Sequence, residues 1–449
     1  MNDYQARDKK YIWHPFTQMK EWIAQEQIVI ESGEGDFLID TKGRRYIDGV
    51  SSLWCNVHGH RRAEIDSAIR AQLDKIAHST MLGLTHTAAV DLSEKLLAIV
   101  PPSLKRVFYS DSGSEAAEIA LKMAFQYWQH QGHADRTHFV ALRESYHGDT
   151  IGSVSVGGIE TFHSLFRPLL FHTYFAPVPA RRWNEEGVSA EEKMRASLAE
   201  IERIFTSEKN KIAAIIVEPL VQGAGGIIVH PPGFLRGVRE LCNTHDVLMI
   251  CDEVAVGFGR TGRMFACEHE GVSPDIMTVA KGITAGYLPL AATLVAEKIF
   301  AQYLGEHSEC KTFFHGHTYT ANPLACAAAI ANLEIFEKEK VLENLQIKIA
   351  TMSELLEPLK NHPYVAEVRQ CGFIGAIEIA EDLAAGQPYP AGERMGARVC
   401  AEARKHGLIV RPLGDAIVLM PPLGIADENL RRMLAIVAES IDTVCGGRK

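Results

Sequence analysis

The sequence predicts an α/β fold: a large domain on a mostly parallel, doubly wound sheet, with a small α+β domain assembled from both chain ends. Three observations carry this. Between Arg62 and Asn332 short apolar runs alternate with helical patterns, the signature of βαβ units. Residues 30–50 instead alternate short apolar pairs with Gly and Asp turns. After Asn332 the pattern changes again. The chain of 449 residues exceeds one ordinary domain. Its expected divisions are 1–61, an N-terminal segment serving the small domain and the active site; 62–332, the large domain; and 333–449, the C-terminal small domain.

In order, residues 30–50 read as a small antiparallel meander. Buried strands then follow at Val107–Tyr109, Phe139–Ala141, Ala213–Val217, Val247–Cys251, Ile276–Ala280 and Ala291–Val295. Each run is too short for a buried helix and apolar on both faces, as strands inside a parallel sheet are. Beyond Asn332 a long amphipathic helix is expected, then strands near Phe373–Ile379 and Ile417–Met420. No repeat or low-complexity segment interrupts the chain.

Composition narrows the partners. Hydrophobic residues make up 47% and charged residues 23%, the balance of a folded globular protein. A formal net charge of −10 argues against nucleic acid and anionic membranes, because phosphate binding needs clustered Lys and Arg. The nine cysteines form no C-x-x-C pair and fit a reducing compartment. The first ten residues have no apolar core of a secretory signal. Stretches such as Leu288–Ala296 fall well short of the roughly 20 residues that span a bilayer. A cytoplasmic protein acting on small molecules is expected.

The chemistry concentrates at strand ends. Asp252 and Lys281 each close an apolar run, and glycine follows the lysine. Open α/β sheets bind ligands at the C-terminal ends of their strands. An amine that forms a Schiff base, with an anion that keeps a pyridine nitrogen protonated, is what pyridoxal 5'-phosphate requires. Gly113 and Ser114 lie at a strand–turn–helix junction, where free N–H groups cradle phosphate. The same stretch also fits an ordinary capping box, Ser112 with Glu115. Tyr146, in Tyr146-His147-Gly148-Asp149-Thr150, stands where an aromatic ring stacks on a flat cofactor or simply packs. Arg411 follows the run Leu408–Val410, placed either to clamp a carboxylate or to make an interlobe ion pair. Gly257-Phe258-Gly259-Arg260-Thr261-Gly262 matches G-x-G-x-x-G, but no long helix opens after it, so no dinucleotide site is expected. His58-Gly59-His60 and His315-Gly316-His317 lack partners at zinc spacing; no metal is expected.

Together these segments resemble the class III aminotransferases of pyridoxal phosphate fold type I along almost the whole chain. The matching pieces are Asp111–Glu115, Ser145–Thr150, Glu218-Pro219, Asp252–Gly262, Ala280–Gly282 and Thr318–Ala325, in the family's order. The resemblance implies that Lys281 carries the cofactor and Asp252 faces the pyridine nitrogen. It implies that Gly113 and Ser114 bind the phosphate, and that Tyr146 and Val254 sandwich the ring. It further implies that His317 and Thr318 complete the phosphate site of a neighbouring subunit, which makes the protein a homodimer with shared active sites. Tyr146 joins Lys281 and Asp252 as a catalytic residue. The stretches Trp13–Met19 and Asp48–His60 look like the branch that aminates 8-amino-7-oxononanoate to 7,8-diaminononanoate in biotin biosynthesis. There Phe16, Leu53, Trp54, Tyr146, Lys281, Gly316 and Arg411 are expected to contact substrate. The amino donor is S-adenosylmethionine or L-lysine: Phe16 and Leu53 replace the Tyr and Trp common among users of the former. A broad ω-amine transaminase is the competing expectation, sharing every cofactor residue.

Overall fold

Seven strands form the central sheet, in the order Leu104–Ser110, Ala291–Ala296, Ile276–Val279, Leu248–Asp252, Ile212–Val217, His138–Leu142, Thr173–Ala176. A computed structural model describes residues 3–447; residues 1–2 and 448–449, the tips of the two expected end segments, lie outside it. The four central strands, from Ala291–Ala296 to Ile212–Val217, are buried throughout, which is why they read as continuous apolar runs. Ala291–Ala296 alone runs against its neighbours, pairing antiparallel with both Ile276–Val279 and Leu104–Ser110. Apolar content does not encode direction, so the sequence showed the strand and not its sense. The edge strand Thr173–Ala176 was not expected at all; it has four residues and only half-buried Tyr174 and Phe175 at its centre.

Helices cover the sheet. Gly113–His130 starts with a capping box, Ser112 with Glu115, and buries Ala116, Ala117, Ile119, Ala120, Met123, Ala124 and Tyr127 against the strands. Pro323–Lys338 begins with Asn322 as its cap and Pro323 in its first turn. It packs on Ala63–Leu73 and Thr87–Ile99, and it runs through residue 332.

The meander is Ile30–Glu34, Phe37–Asp40 and Arg45–Asp48, antiparallel. Leu408–Ile409 adds to its edge in parallel, so the two chain ends share one small sheet. A second sheet, Val365–Cys371, Ile374–Ile379, Ala416–Leu419 and Arg411–Leu413, is antiparallel. The buried Arg260 ties these parts together, donating to Pro421 O (2.6 Å) and Asn56 O (2.8 Å). Its glycine-rich loop therefore serves as an internal joint. No helix among the described residues is long and apolar enough to cross a membrane.

Candidate active site

The C-terminal ends of the central strands open into a cavity of about 620 Å³ lined by Gly113, Ser114, Tyr146, Asp252, Val254 and Lys281. Each of these residues was expected to touch the cofactor, and the fold gathers all six although they span 169 positions of the sequence, from 113 to 281.

Asp252 ends its strand with a buried side chain held at three points. Its Oδ2 lies 2.6 Å from His147 Nδ1; its Oδ1 accepts from Thr278 Oγ1 (3.1 Å) and from the Val254 N–H (3.1 Å). A carboxylate so tethered has one orientation. Lys281 follows the next strand over, at φ 45°, a left-handed conformation that a lysine adopts only under constraint. The constraint is visible. Asn332, in the Pro323–Lys338 helix, donates to Gly282 O (3.0 Å) and Ile283 O (2.9 Å). His58 Nε2 lies 2.8 Å from Asn332 Oδ1, and burial pushes that imidazole down to about 4, so it sits neutral in the core. Burial also pushes the Lys281 amine below the ordinary lysine range, opposed by the nearby Asp252 and Glu218.

Gly113 stands at the start of its helix with no room for a side chain: a Cβ there would lie 2.6 Å from Val254 Cγ1. Ser114 Oγ meets Thr150 Oγ1 (2.8 Å) and accepts from the Thr150 N–H (3.0 Å). Capping box and cavity wall are thus one structure: Ser112 and Glu115 close the cap, and Ser112, Gly113 and Ser114 line the cavity. The Tyr146 hydroxyl donates to Asp149 Oδ2 (2.6 Å), and burial raises its pKa.

Two lining residues escaped the sequence reading. His147 appeared only as part of the Tyr146–Thr150 loop, and its partner lies 105 residues away. Glu218 was noted in Glu218-Pro219 but given no role. Because Val217 pairs with Cys251, Glu218 and Asp252 are side-by-side at adjacent strand ends. Both Glu218 oxygens accept backbone N–H groups, from Tyr146 (3.1 Å) and Gly223 (2.9 Å). Burial lifts its carboxyl to about 7. A charged residue directly after a buried strand was the signal, the same one that marked Asp252.

The expected substrate residues are more scattered. Trp54 is buried with its ring 5.3 Å from Lys281 Nζ. Phe16, 64% exposed, packs edge-on against Phe162, which in turn faces Tyr146. Leu53 is half exposed, and Arg411 is close enough to Tyr146 to interact electrostatically. Gly316, His317 and Thr318 do not line this cavity. They lie on a surface loop where Gly316 and Thr318 are exposed and His317 Nε2 stands 4.0 Å from Glu115 Oε2. His60, once weighed as a ligand, bonds Asp48 instead (2.9 Å).

The aminotransferase class-III family model matches residues 19–441. The chain belongs to the class-III aminotransferases. It is 52% identical over 100% of both chains to the adenosylmethionine-8-amino-7-oxononanoate aminotransferase of Geobacter sulfurreducens. The crystal structure of the enzyme of that name from Methanocaldococcus jannaschii superposes with a TM-score of 0.93, at 45% identity over 98% of each chain. The ω-transaminase of Pseudomonas jessenii, solved in complex with PMP, superposes at 0.95, but at 30% identity over 99% of this chain and 98% of that one. As in other class-III aminotransferases, the cofactor is pyridoxal 5'-phosphate. The residues present fit it: a desolvated amine, a fixed carboxylate, and a helix start where Val254 leaves no room for a Cβ on Gly113.

Proposed function

We propose that this chain transfers an amino group to 8-amino-7-oxononanoate, giving 7,8-diaminononanoate in biotin biosynthesis, with S-adenosylmethionine or L-lysine as donor. The observation that carries this reading is full-length identity of 52% and 45% to two enzymes of that name, against 30% to the ω-transaminase, which superposes at 0.95 where the Methanocaldococcus jannaschii enzyme superposes at 0.93. Fold similarity alone does not separate these activities.

Pyridoxal 5'-phosphate supplies an electron-accepting ring next to the carbon that loses its proton. Gly113 and Ser114 would hold its phosphate, with Tyr146 and Val254 on either side of its ring. Asp252, fixed by His147, Thr278 and the Val254 amide, would offer its anion to the ring nitrogen. Lys281 would hold the group, and its amine, kept below the ordinary lysine range by burial, would take and return the proton of the substrate carbon. Arg411 would take a substrate carboxylate, while Phe16, Leu53 and Trp54 would wall the channel and Gly316 would reach it only from a second copy. His317 and Thr318 would reach the phosphate site of a second copy, which makes the working unit a homodimer. The nine cysteines, none in a disulfide, support the cytoplasm as its place.

The test is the half-reaction. Cofactor-loaded enzyme is mixed separately with S-adenosylmethionine and L-lysine, and the cofactor absorbance is followed. One donor is expected to convert it, and 8-amino-7-oxononanoate to restore it. Conversion by simple amines alone would reject the reading in favour of a broad ω-transaminase.

A further inference from the structure

The segment Ser51–Trp54 is the most strained stretch near the cavity. Ser51, Ser52 and Trp54 all have positive φ (51°, 62° and 64°), and none is glycine. Such backbone persists only where its surroundings over-determine it. Here they do. The fully buried Asp48 accepts from the Ser52 N–H (2.7 Å) and Ser52 Oγ (3.0 Å), and its Oδ2 also contacts His60 Nε2 (2.9 Å). Ser51 Oγ donates to Met420 O (2.7 Å), in the chain's other end.

What the strain delivers is the indole of Trp54. It lies against Gly223, where a Cβ would come within 3.0 Å of Trp54 Cζ3, and its ring centroid is 5.3 Å from Lys281 Nζ. The indole N–H is buried without a hydrogen-bond partner. An aromatic residue chosen for stability would satisfy that donor. Aromatic faces attract ammonium groups, more so where water is excluded. We propose that Trp54 is a catalytic residue whose indole face holds the Lys281 ammonium, with Asp48 as the positioning residue that fixes it there through Ser52. Trp54 then does more than line the channel: it sets the proton affinity of the amine that shuttles the proton. Burial opposes the charged form most, Asp252, Glu218 and Cys55 favour it, and Arg260 opposes it.

The inference rests on Lys281 being the reacting amine, and a first step checks that separately. Borohydride reduction of the pyridoxal 5'-phosphate enzyme, followed by peptide mass spectrometry, is expected to place the cofactor on Lys281. A tag elsewhere would overturn both readings. The enzyme is then loaded with pyridoxamine phosphate, and acetylation of Lys281 by acetic anhydride is measured against pH. In Trp54→Leu the midpoint is expected to fall by about half a pH unit or more, roughly a threefold change in acidity. Trp54→Phe, which keeps an aromatic face, is expected to recover part of the shift. Asp48→Asn and Gly223→Ala, which displace the ring without removing it, are expected to shift the midpoint but to add nothing in a Trp54→Leu background. Thermal melts confirm that each variant folds. With Lys281 tagged and Trp54→Leu folded, an unmoved midpoint overturns the inference alone.

Discussion

His147 shows how a single side chain acts at a distance from the chemistry. It touches Asp252 at 2.6 Å in a buried setting, where a hydrogen bond to a charged group is worth about 1.5–3 kcal/mol. Replacing it with Ala removes this contact of Asp252 Oδ2 and leaves the Oδ1 contacts to Thr278 and the Val254 amide, so the carboxylate is held less firmly. We expect proton transfer in a single turnover to slow about 10–100-fold, with Asp252→Ala slower still. A His147→Ala rate equal to wild type, in protein that melts normally, would remove His147 from the site. Glu218 makes a pH-dependent contribution. Its carboxyl titrates at about 7 in the folded chain, against an ordinary 4.5, because burial disfavours the charge. A group whose folded pKa is raised binds its proton more tightly when folded. Its contribution to stability is therefore complete below about 4.5 and is lost as pH rises through about 7. Glu218→Gln cannot ionise, so its melting temperature relative to wild type is expected to climb across that window. A pH-independent difference would contradict this account. Lys281 and Asp252 were legible as charged residues closing apolar runs. Glu218 carried the same mark without an assigned role, and His147 carried none, since nothing local records its partner.

At the scale of elements, the junction from Leu104–Ser110 into Gly113–His130 performs two tasks at once. Ser112 and Glu115 cap the helix, while Gly113 lets the helix start approach Val254. The capping box was readable from the spacing of serine and glutamate. The need for glycine was not, because Val254 arrives from another strand. Gly113→Ala must push Val254 aside or lift the helix start, at a cost of about 1–3 kcal/mol for overpacking. Cofactor retention on dialysis is expected to drop about tenfold, or 1.4 kcal/mol, with little change in far-ultraviolet circular dichroism. Retention equal to wild type would mean that the approach of helix and Val254 is not what shapes the cradle. Ala291–Ala296 makes a related point. Its composition fixed it as a buried strand, but its reversed direction follows from how the chain returns after Lys281, which no local pattern records.

For the molecule as a whole, the position of Gly316, His317 and Thr318 decides how the site is completed. They ride on a loop with exposed Phe314 (80%) and Tyr319 (58%), outside the cavity of their own chain. If a second copy receives this loop, defects in Lys281 and Thr318 reside in different halves of each site. Mixing inactive Lys281→Ala with a cofactor-weakened Thr318→Asp variant is then expected to restore activity, as half the sites in mixed dimers carry neither defect. No recovery, with subunit exchange verified by mass, would show that each chain builds its site alone. Arg260 illustrates the same scale within one chain: its glycine-rich loop looked like a nucleotide motif, yet the fold turns its guanidinium inward to join Asn56 and Pro421.

The sequence by itself determined the α/β class, the buried strands, the Asp252–Lys281 pair and the family's motif order. These are local properties: apolar runs, turn residues, and charged residues at run ends. Only the tertiary structure decided which carboxylate meets which histidine, why Gly113 must be glycine, how Asn332 holds the turn after Lys281, and that the strained Ser51–Trp54 turn brings an indole to the Lys281 amine. Those contacts join residues far apart in the chain, and their geometry is set by strand register and helix packing.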